Sequence, residues 1–203
     1  MKLWTFQLPG TAETVKTTGT YRCDAEQDTT CASIEAYDAY DFMVESMEKK
    51  GIKKPDGVKY PVWAWYRIDG KNARPNCRSN EYRQYQATEL LELEVPDEQV
   101  LLSDFDGWHD VLNRCYHDGS KTEQEYDEAW SWYESLQAEE QERVKRESWN
   151  GIFDIDPIIE TEWCHRGLYV QAVFWEIKPE YIKKVTRLKG YPEPSYLKCA
   201  ADM

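Results

Sequence analysis

Apolar and polar positions alternate with two different periods along this chain, and the switch between them predicts its elements. Leu91, Leu93 and Val95 alternate with Glu92 and Glu94, as in a strand with one face buried and one wet. Pro96-Asp97-Glu98 breaks the pattern as a turn, after which Val100-Leu101-Leu102 reads as a second, more buried strand. Ser103, Asp104 and Asp106 are capping residues, and Phe105, Trp108, Val111, Leu112, Cys115 and Tyr116 follow at helical spacing.

The same reading extends over the rest of the chain. Residues 3–7 form a first strand, Ala12 to Thr18 a short helix closed by Gly19, and residues 24–33 show no period. Ser33 caps a long helix with Ala36, Tyr37, Tyr40, Met43, Val44 and Met47 on one face, stopped by Gly51. From Tyr60 to Ile68, Tyr60, Val62, Ala64, Tyr66 and Ile68 oppose Trp63 and Trp65, the mark of a central strand or of one lining a pocket. Residues 69–88 read as a long loop. A second long helix starts at the capping box of Thr122 and Glu125, carries Tyr126, Trp130, Tyr133, Leu136 and Val144, and ends in Arg143, Lys145 and Arg146. Leu168 to Ile177 is another strand apolar on both faces except at Gln171. Pro179 opens a short helix through Val185, and a strand near 186–188 precedes a loose end.

These elements predict an α+β domain over residues 1–190, with a tail from 191 to 203. Its sheet is mixed and mainly antiparallel, with two long amphipathic helices packed on it. A net charge of −13 makes nucleic acid an unfavourable partner. No run reaches the length of a membrane span, and the start of the chain has no secretory pattern. The six cysteines lack any Cys-x-x-Cys pair, which points to reduced thiols and a cytoplasmic location. Only Cys164-His165 brings two zinc-type ligands together, so no metal site is expected.

Candidate chemistry falls on a few residues. Gln171, polar on an otherwise apolar strand face, is either a structural tie or a pocket group. Trp63 and Trp65 could stack on a flat ligand, and Arg74 and Arg78 in the long loop could grip a phosphate or carboxylate. VLLSDFDGWHDVL resembles the hydrophobic-strand and Asp-x-Asp-Gly box of haloacid-dehalogenase-like phosphatases, with Trp108 at that family's threonine. That resemblance implies Asp104 and Asp106 as nucleophile and acid, with His109 beside them. The alternative is that one aspartate caps the helix and the other complements its dipole, in which case asparagine would serve as well at either position.

LWTFQ, YDFMVESMEKK, YPVWAW, ELEVPDEQVLLSDFDGWHDVLN, SWNGIFDI and VQAVFWEIKPEYIKKV together resemble an uncharacterised bacterial family catalogued as a domain of unknown function. The chain departs from it at Arg74-Pro75-Asn76-Cys77-Arg78, where that pattern implies Asp-Leu between the proline and the last arginine. The order of elements is also similar to small ADP-ribosyltransferase-like domains. That likeness implies NAD as cofactor, Gln171 as the late-strand residue orienting ribose or acceptor, and Thr5 on the first strand, where the family carries Arg or His. The expectations for function are therefore a binding domain for a small molecule or protein partner, an NAD-dependent transferase, or an aspartate-dependent phosphatase.

Overall fold

This computed structural model describes residues 1–23 and 34–192, with the side chains of residues 34–36 excepted. The elements run β1 (Lys2–Gln7), α1 (Thr11–Thr18), β2 (Tyr21–Arg22), α2 (Ile34–Lys49), β3 (Val62–Arg67), β4 (Thr88–Glu94), β5 (Leu101–Asp104) and α3 (Phe105–Leu112). They continue with α4 (Glu123–Ser135), α5 (Ala138–Ser148), β6 (Val170–Phe174), β7 (Glu176–Ile177) and β8 (Ile182–Leu188). Six strands make one sheet in the order β5-β6-β3-β1-β4-β8, and β2 pairs with β7. Every pairing is antiparallel, as the α+β reading expected of most of them.

Alternation along the central strands explains why the sheet is buried on both faces. Val62 and Ala64 of β3, Ala172 and Phe174 of β6, and Leu91 and Leu93 of β4 join Ala12 and Val15 of α1 in one core. On the opposite face Leu101 and Val173 pack with Met43 and Met47 of α2, Trp108 and Val111 of α3, and Trp149 and Ile152. The aromatic and methionine stripe of α2 is thus core. Its end is a Schellman motif: Gly51, at φ 81°, donates its N–H to Glu48 O at 2.9 Å, and Ile52 N donates to Met47 O at 3.0 Å. The expected Ser33 cap, the patternless stretch 24–33 and the tail beyond Pro192 lie outside the described residues.

Three expected boundaries are corrected. The helix foreseen from Thr122 to Arg146 is two helices, because Leu136 and Gln137 turn extended and the Gln141 side chain donates to Tyr133 O at 3.1 Å, closing α4. The strand read from Leu168 to Ile177 is interrupted at Trp175, and β7 leaves to pair with β2. The helix read from Pro179 to Val185 is one 3-10 turn, Pro179–Tyr181, after which Ile182 to Leu188 pair with β4. β-Branched residues and sheet partners outweigh the local proline signal there.

Asp104 ends β5 and caps α3. Its Oδ1 accepts from Gly107 N at 2.8 Å and its Oδ2 from Gly167 N at 2.6 Å, with 4% of the residue exposed. Gly167 stands at φ 77°, where a Cβ would collide with Ile155 O, and its own carbonyl accepts from Arg67 Nη1 at 2.9 Å. One carboxylate therefore binds the end of β5, the start of α3 and the approach to β6, and Arg67 ties in the end of β3.

The expectation that asparagine would serve equally at 104 does not survive this geometry, since its amide would turn a donor toward another donor. Asp104→Asn should cost about 1.5–3 kcal/mol and Asp104→Ala more, both read as lower denaturant midpoints at unchanged slope. An Asn variant as stable as the parent would contradict the second bond. Gly167→Ala should cost more than about 2 kcal/mol in the same measurement, through strain at positive φ added to the clash.

Candidate ring-binding cleft

β1 runs alongside β4 over six register pairs but meets β3 at a single pair, Trp4 with Trp65. Beyond that pair Thr5 Oγ1 donates to Trp63 O at 2.7 Å, a side-chain bond where a ladder bond would otherwise stand. A cleft of about 750 Å³ lies at this end of the two strands. β1 contributes Thr5, Phe6 and Gln7, β3 Val62 and Trp63, β4 Thr88, and β6 Gln171, while α2 supplies Tyr40 and α3 Phe105, Trp108, His109 and Leu112.

Three of its rings form a corner. Trp63 lies 4.8 Å from Trp108 between centroids and 5.9 Å from Tyr40, and Tyr40 meets Trp108 edge-on at 5.7 Å. Phe105 meets His109 edge-on at 4.5 Å. Phe105, Trp108 and His109 are placed by α3, whose start is fixed by the Asp104 cap. Phe105, Trp108 and Leu112 belong to the apolar stripe read from the sequence, with His109 at its edge; Cys115 and Tyr116, read as its continuation, lie beyond the end of α3.

The polar groups of the cleft divide into satisfied and unsatisfied. Thr5 Oγ1 also accepts from Gln7 Nε2 at 2.8 Å, so the first-strand hydroxyl both donates and accepts within the protein. His109 Nδ1 donates to Phe105 O at 2.9 Å; a carbonyl only accepts, so the neutral ring presents Nε2 as an acceptor. By contrast Trp63 Nε1, Thr88 Oγ1 and Gln171 Oε1 are buried and without a hydrogen-bond partner. Ser103, directly across from Gln171 in the sheet, has an unpartnered Oγ as well.

Charge is sparse here. Among the described residues no carboxylate lines the cleft, and its Arg22 is held by Glu176 at 3.1 Å. Burial alone would raise the Glu176 carboxyl, but hydrogen bonds from Lys178 and Arg22 outweigh it and hold that group below the usual carboxylate range.

The remaining sequence candidates lie elsewhere. Trp65 packs at 5.0 Å on Phe105 and edge-on at 5.4 Å on Tyr82 instead of lining the cleft. Arg74 and Arg78 line a second cleft of about 570 Å³, which shares Gln84 with the first. Asp104 and Asp106 face a third, of about 320 Å³, with Asp110, His117 and His165. There Asp110 Oδ2 and His117 Nδ1 are 2.8 Å apart. Asp106 reaches solvent, yet the crowded wall partly desolvates its carboxyl and Asp104 repels its charge, and together these raise its pKa. Among the described residues no three of His, Cys, Asp and Glu converge as metal ligands.

Sequence reasoning singled out Thr5, Trp63, His109 and Gln171, and these four share the ring cleft. It missed Tyr40, Trp108, Gln84 and Thr88. Tyr40 and Trp108 were read as core, which they also are; Gln84 and Thr88 lay in the loop segment, where no period marks a facing direction.

Comparison with known sequences adds one finding about kinship. No curated protein and no solved structure matches the chain. The sequence model of one family, described as Domain of unknown function (DUF3841), matches residues 2–183 and so takes in every strand of the sheet but most of β8. On that match, which covers most of the chain, the protein belongs to the DUF3841 family.

Proposed function

We propose that residues 1–190 act as one domain that binds a small molecule through a flat, uncharged ring carrying hydrogen-bond donors and acceptors. The observation that carries this reading is that Trp63, Thr88 and Gln171, each with a buried polar atom that has no hydrogen-bond partner, line one aromatic cleft. A buried polar group left unpaired costs about 1–3 kcal/mol, so three in one place are a standing cost that a complementary ligand removes. The indoles and Tyr40 supply stacking and edge contacts, and the described lining, aromatic and uncharged but for the paired Arg22, favours a neutral ring. Free thiols at Cys77, Cys115 and Cys164 support the cytoplasmic setting.

A second reading, NAD-dependent transfer, is favoured by one placement: the late-strand Gln171 and the first-strand Thr5 and Gln7 line the same cleft. Against it stands Thr5, whose hydroxyl is already bonded on both sides, with no cation beside it on β1. Aspartate-based phosphoryl transfer has less support, because both oxygens of Asp104 are engaged by backbone N–H groups and that residue faces a different cleft.

The test is quenching of tryptophan fluorescence by adenine, nicotinamide and riboflavin, in the parent and in Gln171→Met. One of these rings should quench, and the variant should bind it about tenfold more weakly, the loss of one hydrogen bond. Stability should stay the same or rise, since the substitution removes an unpaired buried acceptor. Absence of quenching by all three, together with a destabilised variant, would make Gln171 a structural tie and end the binding reading. Label transfer from NAD carrying a labelled adenylate onto the protein, lost in Gln171→Met, would establish the second reading instead.

A further inference from the structure

The chain carries 38 acidic and 25 basic side chains, so a cation on its surface has carboxylates to spare. Several take one: Lys2 pairs with Glu92, Arg143 with Glu140 and Glu147, Arg146 with Asp38, and Arg166 with Asp154. Arg74, Arg78, Arg187 and Lys189 are instead gathered around one cleft. Among the described residues no carboxylate lines it, and Arg74, Arg78 and Lys189 make no ion pair. Arg187 reaches one, the buried Glu89, at 3.5 Å. Four cations held around one concavity repel each other, and an occupant with negative charge relieves that repulsion. Guanidinium forks suit an oxyanion, which they can bind with paired hydrogen bonds.

The walls of this cleft are built. Gly190 stands at φ 80°, and a Cβ there would lie 2.6 Å from Tyr85 O and 2.8 Å from the Gln86 carbonyl carbon. Tyr191 N donates to Gln84 O at 2.8 Å, and the Arg83 guanidinium lies 4.6 Å from the Tyr191 ring centroid while Nη2 donates to Arg78 O at 3.4 Å. The end of β8 is therefore fastened to residues 83–86. Gln84, within that fastening, borders both the basic cleft and the ring cleft.

We propose that the Arg74, Arg78, Arg187 and Lys189 cleft is an oxyanion site, and that it takes the phosphate or carboxylate arm of the same ligand whose ring enters the cleft of Trp63 and Gln171. The second half of this statement rests on the ring-binding reading; the first half does not. The ligand class is a flat heterocycle with an anionic arm on the side facing Gln84.

The anion site is tested with inorganic pyrophosphate alone, read as a rise in melting temperature over sodium chloride at equal ionic strength. The exposed Arg74 and Arg78 can be changed without touching the core, and the Arg74→Gln, Arg78→Gln double variant should weaken pyrophosphate binding about tenfold or more. Pyrophosphate no better than chloride, or equal binding by parent and variant, overturns the site. Matched pairs then test the link: adenosine with adenosine diphosphate, the reduced and uncharged form of nicotinamide riboside with its mononucleotide, and riboflavin with its phosphate. The phosphorylated member of the binding pair should bind about tenfold more tightly, and the gap should close in the double variant. A pair whose members bind alike refutes the shared ligand even if pyrophosphate binds. Pyrophosphate binding with no ring compound quenching fluorescence upholds the anion site and removes the ring reading. Citrate and phosphate, each titrated alone, distinguish a carboxylate arm from a phosphate arm.

Discussion

The Asp104 carboxylate is the joint on which the arrangement rests. Its two oxygens take the N–H groups of Gly107 and Gly167, so the start of α3 and the approach to β6 are held by one side chain at the end of β5. α3 carries Phe105, Trp108 and His109 into the ring cleft, and β6 carries Gln171 into the same space. The relative position of the two walls thus depends on a residue that faces away from the cleft. Buried charge is tolerable here because both oxygens have donors within the protein and the helix dipole adds to them.

Much of the fold was legible in periodicity. The two-faced apolar pattern of residues 60–68 and 168–177 put those strands in the middle of a sheet, and β3 and β6 are adjacent and internal there. The Schellman stop at Gly51 and the cap at Asp104 follow from local rules that need no tertiary knowledge. Legibility failed where a long-range partner decided the outcome. Nothing local shows that Gln141 closes α4 or that Trp175 ends β6. Nor does anything local show that Ile182 finds β4 before a helix can propagate from Pro179.

The candidate site was half legible for a related reason. Gln171 announced itself because a carboxamide on an apolar strand needs an explanation, and Trp63 because large rings on both sides of a strand crowd a core. Arg74 and Arg78 were visible as cations in a loop, but their separation from the rings by Gln84 depends on how residues 83–86 lie against Gly190, a contact between segments about a hundred residues apart. The two aspartates of the motif-like spacing part company: Asp104 holds two backbone N–H groups, as a cap does, while Asp106 stands exposed in the first turn of α3.

The corner formed by Trp63 and Trp108 has an optical consequence. With centroids 4.8 Å apart and ring planes inclined at 38°, the two indoles are close enough for their electronic transitions to mix, and the skew between them gives that mixing a handedness. The wall of the cleft therefore absorbs circularly polarised light as a pair, apart from the other indoles of the chain. The angle between β3 and α3 is written into that signal without any label being added.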